Sequence, residues 1–115
     1  MTNLLEVSTT KELAEGTMKE VLAHGREILL ARVGGSYYAV DNRCPHMGGK
    51  LSHGKLEGTT VTCPLHGSQF DLTSGQVVRW LSEGLASKIS KVVKPSKPLN
   101  VYKVKVEDSR ILIEL

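Results

Sequence analysis

Cys44-Pro45-His46 and, after sixteen intervening residues, Cys63-Pro64-Leu65-His66 are the stretches that decide how this chain is read. Each offers one thiolate and one imidazole within a few residues. Each falls where the surrounding strand pattern stops, the first after Val40 and the second after Thr62. Two such loops at the same end of a β fold can bring four donors together. The chain has only two cysteines, and each is followed closely by a histidine. In a reducing compartment that fits metal ligation better than a lone disulfide. Thiolate with imidazole suits zinc or an iron–sulfur centre. Zinc fingers normally pair Cys with Cys and His with His locally, whereas both loops here are mixed.

Outward from the loops, short apolar runs alternate with turn signals. Strands are expected at Asn3–Val7, Met18–Ala23, Glu27–Val33, Tyr37–Val40, Thr60–Thr62, Gln69–Leu72, Val77–Trp80, Leu99–Val106 and Arg110–Leu115. Between them lie His24-Gly25, Gly34-Gly35, Gly58, Ser74-Gly75 and Asp108-Ser109, and Gly34-Gly35 is a strong two-residue hairpin signal. In the last long run, Tyr102, Val104 and Val106 share the face expected to be buried, opposite Val101, Lys103 and Lys105. Thr9–Gly16 reads as a one-turn helix. Leu81–Pro98 can hold a helical turn over Ser82–Ile89, and Pro95 and Pro98 keep it from being a regular strand. Many short strands with regular turns predict an all-β sandwich or barrel-like fold. At 115 residues the chain is expected to be a single domain spanning 1–115.

Composition is that of an ordinary soluble protein, 40% apolar and 23% charged, with a formal net charge of +3. From Gly84 to Val106 there is no acidic residue but six lysines: Lys88, Lys91, Lys94, Lys97, Lys103 and Lys105. That run reads as a solvated face or as a docking surface, centred on Lys88–Lys97, for an acidic redox partner. Nucleic acid is not expected, since Tyr102 is the run's sole aromatic and stacking platforms are lacking. No apolar run approaches a membrane span, and no secretory signal is visible, so a cytoplasmic location is expected.

With these residues in view, the pattern Cys-x-His followed by Cys-x-x-His resembles the Rieske motif. The segments Cys44 to Leu51 and Cys63 to Asp71 resemble the two cluster loops of Rieske ferredoxins. The turn Asp71–Gly75 and the proline-bearing stretch Pro95–Pro98 also stand in family order. The resemblance implies a small Rieske-like β-sandwich or barrel with a cluster-binding subdomain built from two loops, about 42–70. It implies one [2Fe–2S] cluster per chain, with Cys44 and Cys63 on one iron and His46 and His66 on the other. Gly48, Gly49 and Gly67 would let backbone N–H groups approach the sulfides, and Pro45 and Pro64 would stiffen the loops. His24 and His53 are read as surface residues.

The mixed ligands make the oxidised centre neutral, where an all-cysteine cluster carries −2. Adding an electron then costs less, and Rieske centres span roughly −150 to +300 mV against about −400 mV for plant-type ferredoxins. Respiratory members carry two further cysteines, here Met47 and Leu65, and a tyrosine where this chain has Phe70; Ser68 is kept. One hydroxyl donor fewer predicts a potential in the lower half of the range. Solvent-facing imidazoles predict a potential that is flat near neutrality and falls at alkaline pH.

Functionally, the resemblance implies a one-electron carrier between a flavin-dependent reductase and a terminal oxygenase, not an enzyme in its own right. A Rieske oxygenase would need a further mononuclear iron site, and only His24 and His53 remain for it. Two alternatives stay open: the Rieske-like small subunit of a nitrite reductase or other redox complex, and a zinc-stabilised interaction module.

Overall fold

The computed structural model describes residues 4–43, 49–64, 67–79 and 98–115, and these form three antiparallel sheets. In chain order the strands are β1 (Leu4–Thr9), β2 (Thr17–Ala23), β3 (Arg26–Val33), β4 (Ser36–Asp41), β5 (Lys55–Glu57), β6 (Thr60–Thr62), β7 (Gln69–Asp71), β8 (Val77–Arg79), β9 (Val101–Tyr102), β10 (Val104–Glu107) and β11 (Arg110–Glu114). The sheets run β1-β11-β10, β2-β3-β4-β9 and β5-β6-β7-β8. Single 3₁₀ turns sit at Thr10–Glu12, inside the expected helical turn, and at Leu51–His53.

The hairpins follow from local backbone chemistry. In three of them both central residues have positive φ: His24 and Gly25 (51° and 78°), Gly34 and Gly35 (60° and 79°), Asp108 and Ser109 (49° and 69°). That is the type I′ signature, whose twist matches the flanking strands. It fixes the registers Ala23↔Arg26, Val33↔Ser36 and Glu107↔Arg110. The Gly34-Gly35 turn is further held by Glu15, whose carboxylate accepts both amide N–H groups at 2.6 and 2.8 Å. Those two donors, Gly35 first, keep the Glu15 carboxyl below its ordinary range.

β3 is the pivot of the packing because both its faces are buried. Ile28 and Leu30 face a core made with Ala39, Ile111 and Ile113, which joins the central sheet to β1-β11-β10. Leu29 and Ala31 face the opposite way, into a second core with Val40 of the same sheet and Leu51, Val61, Phe70 and Leu72 from the β5–β8 side. A run of consecutive apolar residues, Ile28-Leu29-Leu30-Ala31, is what a strand covered on both faces requires. Each wholly buried Leu or Ile contributes roughly 1.5–3 kcal/mol.

Three expectations need correction. The run 99–106 is not one strand: it passes from the central sheet as β9 to the outer sheet as β10, changing partner at Lys103. On the face expected to be buried, Tyr102 and Val104 are half-buried and Val106 is not buried. It is 43% exposed, because β10 is an edge strand. β5 was not anticipated at all. The helical turn expected at Ser82–Ile89 lies outside the described residues, as do Trp80, Pro95 and the four lysines from Lys88 to Lys97.

Candidate metal centre

Both cysteine-and-histidine segments emerge from hairpins whose bases are pinned. The first leaves β4 at Asp41 and returns through the 3₁₀ turn at Leu51. Its base is closed by an antiparallel bridge between Arg43 and Lys50 and by the Leu51 N–H donating to the Asn42 carbonyl at 2.8 Å. The second connects β6 to β7. There the pair Thr62↔Gln69 is followed by the Cys63 N–H donating to the Ser68 carbonyl at 2.7 Å. The Gly67 N–H donates back to the Cys63 carbonyl at 3.3 Å, and Gly67 has φ of 77°, a conformation that favours glycine.

The two bases touch. Gly54, which ends the 3₁₀ turn after the first loop, lies so close to the second that a Cβ there would sit 1.8 Å from the Thr62 carbonyl oxygen and 3.2 Å from Pro64 Cδ. Its φ is −90°, so the close approach, not a positive φ, is what demands glycine here. A second tie holds the returning chain: the Leu99 N–H donates to the Gly75 carbonyl at 2.7 Å, and a Cβ on Gly75 would lie 2.2 Å from the Leu99 carbonyl oxygen.

Of the four expected ligands, Cys63 is described, and Cys44, His46 and His66 lie outside the described residues, as do Pro45, Met47, Gly48 and Leu65. Cys63 is 3% exposed and belongs to the core formed by Leu29, Ala31, Val40, Val61 and Phe70. Ser68 and Phe70 beside it are wholly buried. A thiolate in such a setting needs a compensating positive charge, which a coordinated metal supplies. Two thiols and two imidazoles on two loops whose bases abut, one thiol already against the core, suit a [2Fe–2S] centre with mixed ligands. His53 is exposed on the 3₁₀ turn and His24 is exposed at a hairpin tip, as surface residues should be.

Sequence reasoning missed the polar frame around the first loop. Asn42 is wholly buried, yet its amide is fully used. Nδ2 donates to Glu20 at 2.8 Å and to Ser52 Oγ at 3.0 Å, and Oδ1 accepts the Ser52 N–H at 2.7 Å. Lys50 Nζ reaches the other oxygen of Glu20 at 3.1 Å. Arg43 grips Glu27 with two guanidinium nitrogens. The Asn42 amide, then Lys50, holds the Glu20 carboxyl below its ordinary value, and Arg43 does the same for Glu27. The signal available in the sequence was an asparagine two residues before Cys44.

The family profile described as Rieske [2Fe-2S] domain matches residues 3–103 of this chain. The ferredoxin component of the naphthalene 1,2-dioxygenase/salicylate 5-hydroxylase systems of Ralstonia sp is 32% identical over 113 residues, covering 98% of this chain and 96% of its own. The ferredoxin of carbazole 1,9a-dioxygenase from Nocardioides aromaticivorans IC177 superposes with a TM-score of 0.78 at 26% identity, covering 96% of both chains. A similar chain, with a TM-score of 0.78 and 27% identity over 96% of this chain and 92% of its own, comes from a complex of reduced oxygenase and oxidized ferredoxin in carbazole 1,9a-dioxygenase.

Proposed function

Because the chain belongs to the Rieske [2Fe–2S] domain family, we propose that it carries single electrons to a terminal oxygenase, with one cluster held by Cys44, His46, Cys63 and His66. It is an electron-transfer protein and does no substrate chemistry of its own. The cluster supplies a one-electron couple whose oxidised form is neutral. The chain's contribution is positional. The β6–β7 hairpin presents Cys63 from within the apolar core. The bridge between Arg43 and Lys50 clamps the base of the loop that carries Cys44 and His46, and Gly54 lets the bases of the two loops abut. Rigid bases reduce the rearrangement that accompanies gain or loss of an electron.

The observation that carries this reading is the family match over residues 3–103, joined to a buried thiol on a pinned hairpin. The oxygenase as acceptor is supported by relatives named as ferredoxin components of dioxygenase systems and by the ferredoxin–oxygenase complex. A flavin-dependent reductase as donor and a potential in the lower half of the family range rest on the sequence resemblance, and a cytoplasmic location rests on the reading of the sequence alone. Among the described residues no helix is long and apolar enough to cross a membrane.

The test is anaerobic mixing. The chain, reduced with dithionite and freed of excess reductant, is expected to be reoxidised by the oxidised oxygenase of an aromatic-ring dioxygenase system, seen as recovery of its visible absorption. A reduced chain that such oxygenases leave reduced would overturn the assignment of the acceptor. A colourless protein that binds zinc would overturn the centre itself.

A further inference from the structure

Two residues two and four positions outside the proposed ligands of the first loop share one carboxylate that comes from a different strand. Asn42 stands before Cys44, and Lys50 stands after His46. Asn42 Nδ2 binds Glu20 Oε2 at 2.8 Å, and Lys50 Nζ binds Glu20 Oε1 at 3.1 Å. Glu20 lies in the middle of β2, paired with Leu29 of β3, so it is fixed by a full strand register. The entry and exit of the loop are therefore stapled to the same rigid point. Asn42 adds three more ties: its N–H donates to the Glu27 carbonyl at 3.0 Å, its carbonyl accepts the Leu51 N–H, and its side chain exchanges two bonds with Ser52. A wholly buried amide with every donor and acceptor occupied has one orientation only.

We infer that Asn42 and Glu20 are positioning residues for the cluster, acting through the first loop to fix where Cys44 and His46 present their donor atoms. The inference rests on the ligand reading given under Proposed function. Partners of metal ligands tune affinity even though they never touch the metal, and here the tuning acts through backbone placement. The arrangement needs an amide at 42. Aspartate has the same shape but cannot donate, and it would place a second carboxylate against Glu20.

The experiment compares holoproteins of the parent, Asn42→Asp, the exchange variant Asn42→Asp/Glu20→Gln, Ser8→Ala and Cys44→Ser. The exchange variant returns a donor opposite the acceptor and keeps the parent's charge count. Ser8→Ala alters a buried polar residue of β1, which pairs with β11 away from the loops. The readouts are the rate of iron loss to a chelator and the electron paramagnetic resonance line shape of the reduced protein below its melting temperature. A purely structural role would lower the melting temperature and leave the line shape of folded molecules unchanged.

Asn42→Asp is expected to release iron about tenfold faster and to show an altered line shape. The exchange variant should recover both towards the parent, and Ser8→Ala should change neither. If Asn42→Asp does not fold, recovery by the exchange variant still supports the inference and failure to recover overturns it. Parent-like release and line shape in Asn42→Asp also overturn it. Cys44→Ser separates the two readings: an intact Rieske-type spectrum in that variant removes the ligand assignment, whereas loss of the spectrum with silent Asn42 variants removes only the positioning role.

Discussion

Strands β2, β3 and β4 run for six to eight residues, whereas each strand of the β5–β8 sheet is three residues long. The longer strands share a core with β11 that is apolar throughout: Ile28, Leu30, Ala39, Ile111 and Ile113. The short strands contribute Val61 and Phe70, with Cys63 just after β6, and rest on the other face of β3 through Leu29 and Ala31. Strands this short do not make an independently stable sheet. The sandwich is held by its own packing, and the β5–β8 sheet is held by that neighbour and, on the proposed ligand set, by the cluster. That division lets one region stay rigid while the other is shaped for redox chemistry.

The harshest way to break the comparison is Cys63→Ser. It should abolish the visible absorption and bound iron entirely, while the β2–β4 sheet keeps its far-ultraviolet dichroism. Next is removal of iron from the intact protein. Hydrogen exchange should rise first at Val61 and Phe70, while Leu30 and Ile111 stay protected until global unfolding. Equal loss of protection in both sheets would show one cooperative unit.

Paired core truncations sharpen the same distinction. Phe70→Ala should cost about 3–5 kcal/mol, and Leu30→Ala about 2–5 kcal/mol, both residues being wholly buried. Phe70→Ala should also speed iron loss, whereas Leu30→Ala should lower the melting temperature with the spectrum intact up to the transition. Gly54→Ala comes next, at about 1–3 kcal/mol, because its Cβ would collide with the Thr62 carbonyl. Thermal melts followed at a visible wavelength and in the far ultraviolet separate these effects.

The smallest effects are those of pH. The Glu20 and Glu27 carboxyls are held below their ordinary 4.5 by Asn42 and Arg43 respectively. Their contribution is present above pH 4.5 and is lost as pH falls through the lowered folded-state values. Tyr102 is raised above 10.0 by burial and by its hydroxyl donating to Asp41 at 2.7 Å. Its contribution is complete below pH 10.0 and lost as pH rises through the folded-state value. Melting temperature against pH should therefore fall at both ends. Glu20→Gln should flatten the acid limb and Tyr102→Phe the alkaline one.

Most of the strand plan was legible because the hairpins are written in turn residues. Gly34-Gly35 and His24-Gly25 adopt the positive φ values their chemistry allows, and expected strand limits lie within a residue or two of those observed. β5 was hidden because Lys55-Leu56-Glu57 holds a single apolar residue and no period. The sheet change at Lys103 was hidden by its own regularity, since alternation from Val101 to Val106 looks continuous although the partner changes. For the site, residue type and spacing pointed to the proposed ligands. The frame around them did not appear, because Asn42 and Glu20 are 22 residues apart and Gly54 meets Thr62 only in the folded chain.

The decisive measurement is pulsed electron paramagnetic resonance on the dithionite-reduced protein, with nitrogen-15 introduced only at histidine and iron and acid-labile sulfide assayed on the same sample. A mixed centre on Cys44, Cys63, His46 and His66 requires a paramagnetic [2Fe–2S] signal coupled to nitrogen from two imidazoles, reduced to one in His46→Ser or His66→Ser where the cluster survives. A signal without histidine nitrogen coupling, or a protein that holds no iron and sulfide after reconstitution, would contradict it.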